Sequence, residues 1–143
     1  MTGQEHLING PIAPEMVSAL TAPGEGANDR GAQAFFLGKV RSDSFEGRTV
    51  AAIEYSAYEA MVGGVVEEIR TELFHAFSGL VSVGVWHSTG LVKSGEISLL
   101  VMVTSGHRRE CFGALEMCVE RIKEKLPVWK KEIFTDGSSR WIE

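Results

Sequence analysis

Apolar positions along the chain change their period several times, and each change marks an element. Between residues 105 and 126, Cys111, Leu115, Cys118, Val119, Ile122 and Leu126 fall on one arc of a helix, about a third of a turn wide, the width of a core-facing stripe. Glu116, Glu120 and Glu124 lie outside it. Lys123 sits at its border, where the alkyl stem can lie along apolar surface and present only the ammonium. Pro127 lacks an amide hydrogen and disfavours helical geometry at Leu126, so the helix is expected to stop there, and Ser105 is its expected N-cap. Over 59–77, Met61, Val65, Val66, Ile69, Leu73 and Phe77 recur at three- and four-residue spacing and predict a second core-packing helix, weakened locally by Gly63 and Gly64.

Elsewhere the pattern is extended. Ala32–Arg41 and Thr49–Tyr58 read as strands, expected to form a hairpin across the polar loop 42–48, and Gly38 hints at a bulge or a close backbone approach. Leu80–His87 and the strongly apolar Glu96–Ser105 predict two more strands, with 91–95 between them and the second one central. Val128–Thr135 and Ser139–Glu143 predict a closing hairpin about Asp136 and Gly137. At the start, His6–Ile12 fits an edge strand, Ala13–Ala22 a short helix with Pro14 in its first turn, and 23–31 a turn-rich connector. The order β-α-β-β-α-β-β-α-β-β, with neighbouring strands usually hairpin-linked, predicts an α+β domain with a mainly antiparallel sheet covered by helices.

Composition narrows the classes. With 143 residues, 44% hydrophobic and 23% charged, the chain fits one domain with a real core. A net charge of −5 argues against general nucleic-acid binding, so the cations around residues 107–131 stand out as a local patch suited to a small anion. The apolar runs are too short for a membrane span and the first ten residues lack a secretory pattern, so a cytoplasmic protein is expected. Cys111 and Cys118, seven residues apart on one helix, stand about 10 Å apart along its axis, too far for a disulfide, and are expected to be reduced core residues. No metal-site spacing occurs, nor GxGxxG, GxxxxGK[ST] or a serine nucleophile elbow; no metal and no cofactor are expected.

The candidate chemistry is cationic. His107, Arg108 and Arg109 in the first helical turn oppose the helix dipole, at a cost of about 0.3–1 kcal/mol each. Two readings fit: the side chains bend away to acids elsewhere, or an anion on the exposed amides makes them favourable. Lys39 and Arg41 share a strand face. Lys130 and Glu132 share another, which fits a plain ion pair as well as an active role. His87, a lone histidine at a strand end, is expected to serve packing or hydrogen bonding.

FFLGKVR at 35–41, GEISLLVMVTSGHRRECF at 95–112, K-x-x-L-P-V-W-K-K-E from Lys123 to Glu132, and the closing DGSSRWIE resemble the large, catalytic subunit of molybdopterin synthase, the MoaE family. The resemblance covers about residues 31–143, and the first 30 add little. It implies an α/β-hammerhead fold spanning one domain over 1–143. It also implies conversion of cyclic pyranopterin monophosphate (precursor Z) into molybdopterin by a sulfurtransferase. Two sulfurs arrive as thiocarboxylates on the C-terminal Gly-Gly of a small ubiquitin-like subunit, in a heterotetramer built on a homodimer of large subunits. By the same resemblance, Lys123 and Lys130 correspond to two essential lysines, Lys123 central beside the thiocarboxylate and Lys130 supporting. Arg41, His107 and Arg108 become anion ligands, the last two serving the neighbouring chain's pocket, Glu132 orients Lys130, and Phe36 and Met117 are candidate pocket walls. Many relatives carry His-Arg where this chain has His87 and Ser88, and many continue beyond the position of Glu143. Two rivals remain: a non-catalytic module holding a phosphorylated pterin or nucleotide, and a purely structural dimer subunit.

Overall fold

The computed structural model describes residues 3–24 and 28–142. After a 3-10 turn at Gly3–His6, the strands are β1 (Leu7–Asn9), β2 (Ala32–Lys39), β3 (Ser44–Phe45), β4 (Arg48–Ala57), β5 (Leu80–Lys93), β6 (Ile97–Ser105), β7 (Val128–Phe134) and β8 (Ser139–Ile142). The helices are α1 (Pro14–Leu20), α2 (Glu59–Ala76) and α3 (Arg108–Lys125). One sheet runs β2-β6-β5-β4-β7-β8, with β1 added to β5 and β3 to β4. All pairings are antiparallel except β1 with β5. The α+β class and the mainly antiparallel sheet match expectation. Of the 23–31 connector, residues 25–27 lie outside the described residues, as does Glu143 at the end of the last predicted strand.

Strand β6 is as central as its composition demands, with eight of its nine residues buried. Val83, Val85, Leu99, Val101 and Val103 pack under α2 and α3, which contribute Val62, Val66, Ile69, Leu73, Cys111, Ala114, Cys118 and Ile122. On the opposite face α1 covers Ile12, Ile97 and Leu100. Each such large aliphatic side chain contributes about 1.5–3 kcal/mol by leaving water. A separate core of Val40, Val50, Tyr55, Val92 and Phe134 holds the other half of the sheet.

The expected hairpin between 32–41 and 49–58 does not form. β2 pairs with β6, and β4 sits between β5 and β7. Local reading could not see this, because the apolar faces of β2 and β4 are satisfied by partners far along the chain. The loop 42–48 contributes β3 to a tight turn with β4, and β5 continues through 91–93 rather than ending at His87. That extension matters: residues 80–87 pair with β6, whereas 90–93 pair with β4. The change of neighbour occurs at Gly90, whose φ of +76° suits glycine and where a Cβ would stand 2.6 Å from Asn9 Oδ1. The register shift expected at Gly38 is present, between Gly38 and Lys39, and a Cβ there would crowd Leu99 and Phe36.

Helix α3 stops at Leu126 as Pro127 requires, but it begins at Arg108, not after Ser105. His107 is the N-cap without a side-chain bond. The Ser105 hydroxyl instead donates to the His107 carbonyl at 2.5 Å, so it stiffens the entry turn without capping an amide.

Candidate active site

The switch of β5 from one neighbour to another creates the site. Tyr55 of β4 lies in register with Gly90 on one side and with Lys130 of β7 on the other. His87 stands just before the switch, opposite Leu99 of β6. The last turn of α3 crosses above with Ile122 and Lys123. These elements enclose a cleft of about 190 Å³ lined by His87, Leu99, Ile122, Lys123, Leu126, Val128 and Lys130. The two lysines of the resemblance therefore share one small hollow, although one comes from a helix and the other from a strand.

Electrostatics inside the cleft follow from that crowding. Burial holds the Lys130 pKa below its ordinary value, and the Lys123 charge lowers it further. Burial likewise pulls His87 down to about 4, against the raising effect of its bond to Ser88, and the charges of Lys130 and Lys123 add to the lowering. At neutral pH the imidazole is therefore uncharged. Its Nδ1 donates to the Ser88 carbonyl at 2.8 Å, and its ring meets Tyr55 edge-on with centroids 5.0 Å apart. Tyr55 is itself buried, with its pKa raised by burial and its hydroxyl donating to Ser98 Oγ at 3.0 Å.

The remaining predicted residues are dispersed. Phe36 and Met117 are both partly buried against the core under α2 and α3. Phe36 stands beside the Leu99 wall, since a Cβ on Gly38 would lie 3.1 Å from Leu99 Cβ and 3.2 Å from Phe36 Cε2. Arg41 is exposed and paired with Asp43, Nε to Oδ1 at 3.2 Å. Glu132 does not meet Lys130: it is buried at 7% exposure and accepts from Arg140 Nε at 2.8 Å. Both the plain Lys130–Glu132 pair and the orienting role are thus corrected. Register explains it, because Glu132 faces Arg140 across β7 and β8 while Lys130 faces Ile142. Arg140 also lies over the Phe45 ring, its Cζ 3.3 Å from the centroid.

His107 and Arg108 lie at the far end of α3, about 22 Å from Lys123 at 1.5 Å per residue, and both are exposed. They belong to no cleft containing Lys123 within one chain. His87, expected to serve packing or hydrogen bonding, does both, against Tyr55 and the Ser88 carbonyl; that it also lines the cleft beside the two lysines only the tertiary register shows. Ser88, on the opposite face of β5, is fully buried with its hydroxyl unpartnered among the described residues, so the departure at this position does not touch the cleft wall directly.

The two cysteines are buried and free. Burial pushes the Cys118 thiol up to about 12 and raises Cys111, which fits inert core residues. Among the described residues no group of three or more His, Cys, Asp or Glu is gathered as a metal site, and no helix is long and apolar enough to cross a membrane.

Comparison with known proteins agrees with this arrangement. The family model described as MoaE protein matches residues 7–125, so the stretch 7–30 that adds little to the motifs lies largely inside the family pattern. A molybdopterin synthase catalytic subunit from Pyrococcus abyssi is 39% identical over 117 residues, covering 82% of this chain and 77% of that protein. One from Dictyostelium discoideum is 37% identical over 113 residues, covering 78% and 71%. The crystal structure of molybdopterin synthase from Staphylococcus aureus superposes with a TM-score of 0.83 at 31% identity, covering 98% of this chain and 97% of that one. A complex of subunits 1 and 2 of molybdopterin-converting factor from Helicobacter pylori shares the fold, with a TM-score of 0.79 at 23% identity. With a family pattern over most of its length and relatives this similar, the chain belongs to the MoaE family.

Proposed function

We propose that this chain is the catalytic subunit of a molybdopterin synthase. It converts cyclic pyranopterin monophosphate into molybdopterin, taking two sulfurs from the C-terminal thiocarboxylate of a small ubiquitin-like subunit. The observation that carries this reading is the cleft in which Lys123 and Lys130 meet, a concave site with a perturbed amine in a chain of this family.

The environments of the two lysines divide the work. Lys130 is the half-buried amine whose pKa is lowered, so it reaches the neutral form more readily and accepts or returns a proton as sulfur is installed. Lys123 is exposed at the mouth and holds the thiocarboxylate, compensating negative charge as it develops. His107 and Arg108 serve as phosphate ligands for the pocket of the second large subunit in a homodimer, which is supported by their exposure and by their distance from this chain's own cleft. Met117 and Phe36 wall the substrate side. Small subunits at both ends complete a heterotetramer, and a cytoplasmic setting fits two unpaired cysteines.

The test mixes the purified chain with a thiocarboxylated small subunit and cyclic pyranopterin monophosphate and follows molybdopterin formation. Product from the parent and almost none from Lys123→Ala is expected. Product from neither, with the small subunit shown to bind, would leave a non-catalytic module as the better reading.

A further inference from the structure

His87 brings into the cleft an acceptor with no partner among the described residues. Its Nδ1 is bonded to the Ser88 carbonyl, and a carbonyl oxygen can only accept, so Nδ1 carries the hydrogen and Nε2 of the neutral ring presents a bare lone pair. Nε2 makes no hydrogen bond among the described residues, and it is not one of the polar atoms sealed from solvent. It therefore opens on the hollow that the ring lines.

The groups facing this ring come from every element packed on it. β4 supplies Tyr55, whose hydroxyl is committed to Ser98. α3 supplies Lys123 and β7 supplies Lys130. β1 and β6 meet His87 in register with Leu7 and Leu99. Among these residues, the two lysines alone have hydrogens left to donate. Lys130 is the nearer fit, because Tyr55 touches the His87 ring and is also the register partner of Lys130. A partly desolvated ammonium beside a second cation needs an uncharged acceptor, and a buried imidazole in this tautomer is one.

We propose that His87 is a positioning residue of the cleft: the Lys130 ammonium, not hydrogen-bonded to it in this structure, turns onto the bare Nε2, which then fixes both the place of that amine and its affinity for a proton. This rests on reading Lys123 and Lys130 as the reactive pair. The bond favours the charged form of Lys130, so removing it lowers the amine's pKa further, by about one pH unit for a charge-assisted hydrogen bond.

The test uses the full chain and reads the protein directly as well as its activity. Nitrogen NMR of the parent is expected to show His87 with Nδ1 protonated and Nε2 bare, and the Nε2–H tautomer would overturn the proposal whether or not any variant folds. Lysine NMR then follows the Lys130 titration in the parent, His87→Leu and His87→Gln. A midpoint that falls by about one pH unit in His87→Leu and returns in His87→Gln, whose amide oxygen can accept in place of Nε2, supports it. An unchanged midpoint in His87→Leu overturns it. In the synthase assay, the limb of the kcat/KM profile set by Lys130 is expected to move with the same midpoint, which a merely structural loss would not produce. If the parent makes no molybdopterin, the function fails while the titration still decides the role of His87.

Discussion

Helix α3 carries cations at both ends, and the two ends differ in how they are met. At the C-terminal end, Lys123 agrees with the helix dipole and faces Lys130 and His87 across an enclosed hollow. At the N-terminal end, His107, Arg108 and Arg109 oppose the dipole, lie exposed, and have no acidic partner among the described residues. One end is finished, as a cleft enclosed within a single chain; the other is unfinished, its cations standing open to solvent. The difference teaches that charge alone does not make a site, since burial and convergence from separate elements are what perturb an amine.

The largest effect should come from breaking the finished end. Lys123→Ala and Lys130→Ala are each expected to lower molybdopterin formation at least about 100-fold, the scale of losing a positioned proton carrier or charge. Thermal unfolding should barely move, and a large drop in melting temperature would instead make these lysines structural. Acidification tests the same end without mutation. His87 titrates near 4 in the fold and near 6.5 when unfolded, so the unfolded chain takes up the proton first. Stability is complete above about pH 6.5 and is lost as pH falls towards 4, by up to about 3 kcal/mol. Denaturant titrations of the parent against His87→Gln should show this loss in the parent alone.

The unfinished end is sharpened by Arg108→Ala, which is expected to raise KM about 10-fold with a smaller change in kcat, the cost of one charge-assisted phosphate contact. Mixing Arg108→Ala chains with Lys123→Ala chains should restore part of the activity, because one hybrid cleft regains both groups; no recovery would place Arg108 outside the neighbour's pocket. Between the two ends, Cys118 is the control. Cys118→Ala should cost about 1 kcal/mol in denaturant unfolding and leave turnover unchanged.

How much of this was legible follows the range of the interactions. The stripe of α3, its stop at Pro127 and the buried strand at 97–105 were readable because periodicity and proline act locally. Arg140 could not be identified as the partner of Glu132 from composition, since that bond depends on the register of β7 with β8. The false hairpin of β2 with β4 failed for the same reason, both strands being claimed by distant partners. Lys123 and Lys130 were singled out by motif resemblance, but their meeting, and the place of His87 between β4 and β6, are properties of the tertiary fold. A signal for His87 existed in the chain only as a histidine just before the glycine where β5 changes neighbours.

The insertion of β7 between β4 and β8 also sets when the protein becomes competent during synthesis. Tyr55 leaves the ribosome long before Lys130, and until β7 arrives the inner edge of β4 is open and the hollow has no floor. The helix-covered half of the sheet draws its core from β5, β6, α2 and α3, all of which precede β7 in the chain. A chain ending before residue 128 is therefore expected to be chemically silent, with reactivity switched on by the final strands.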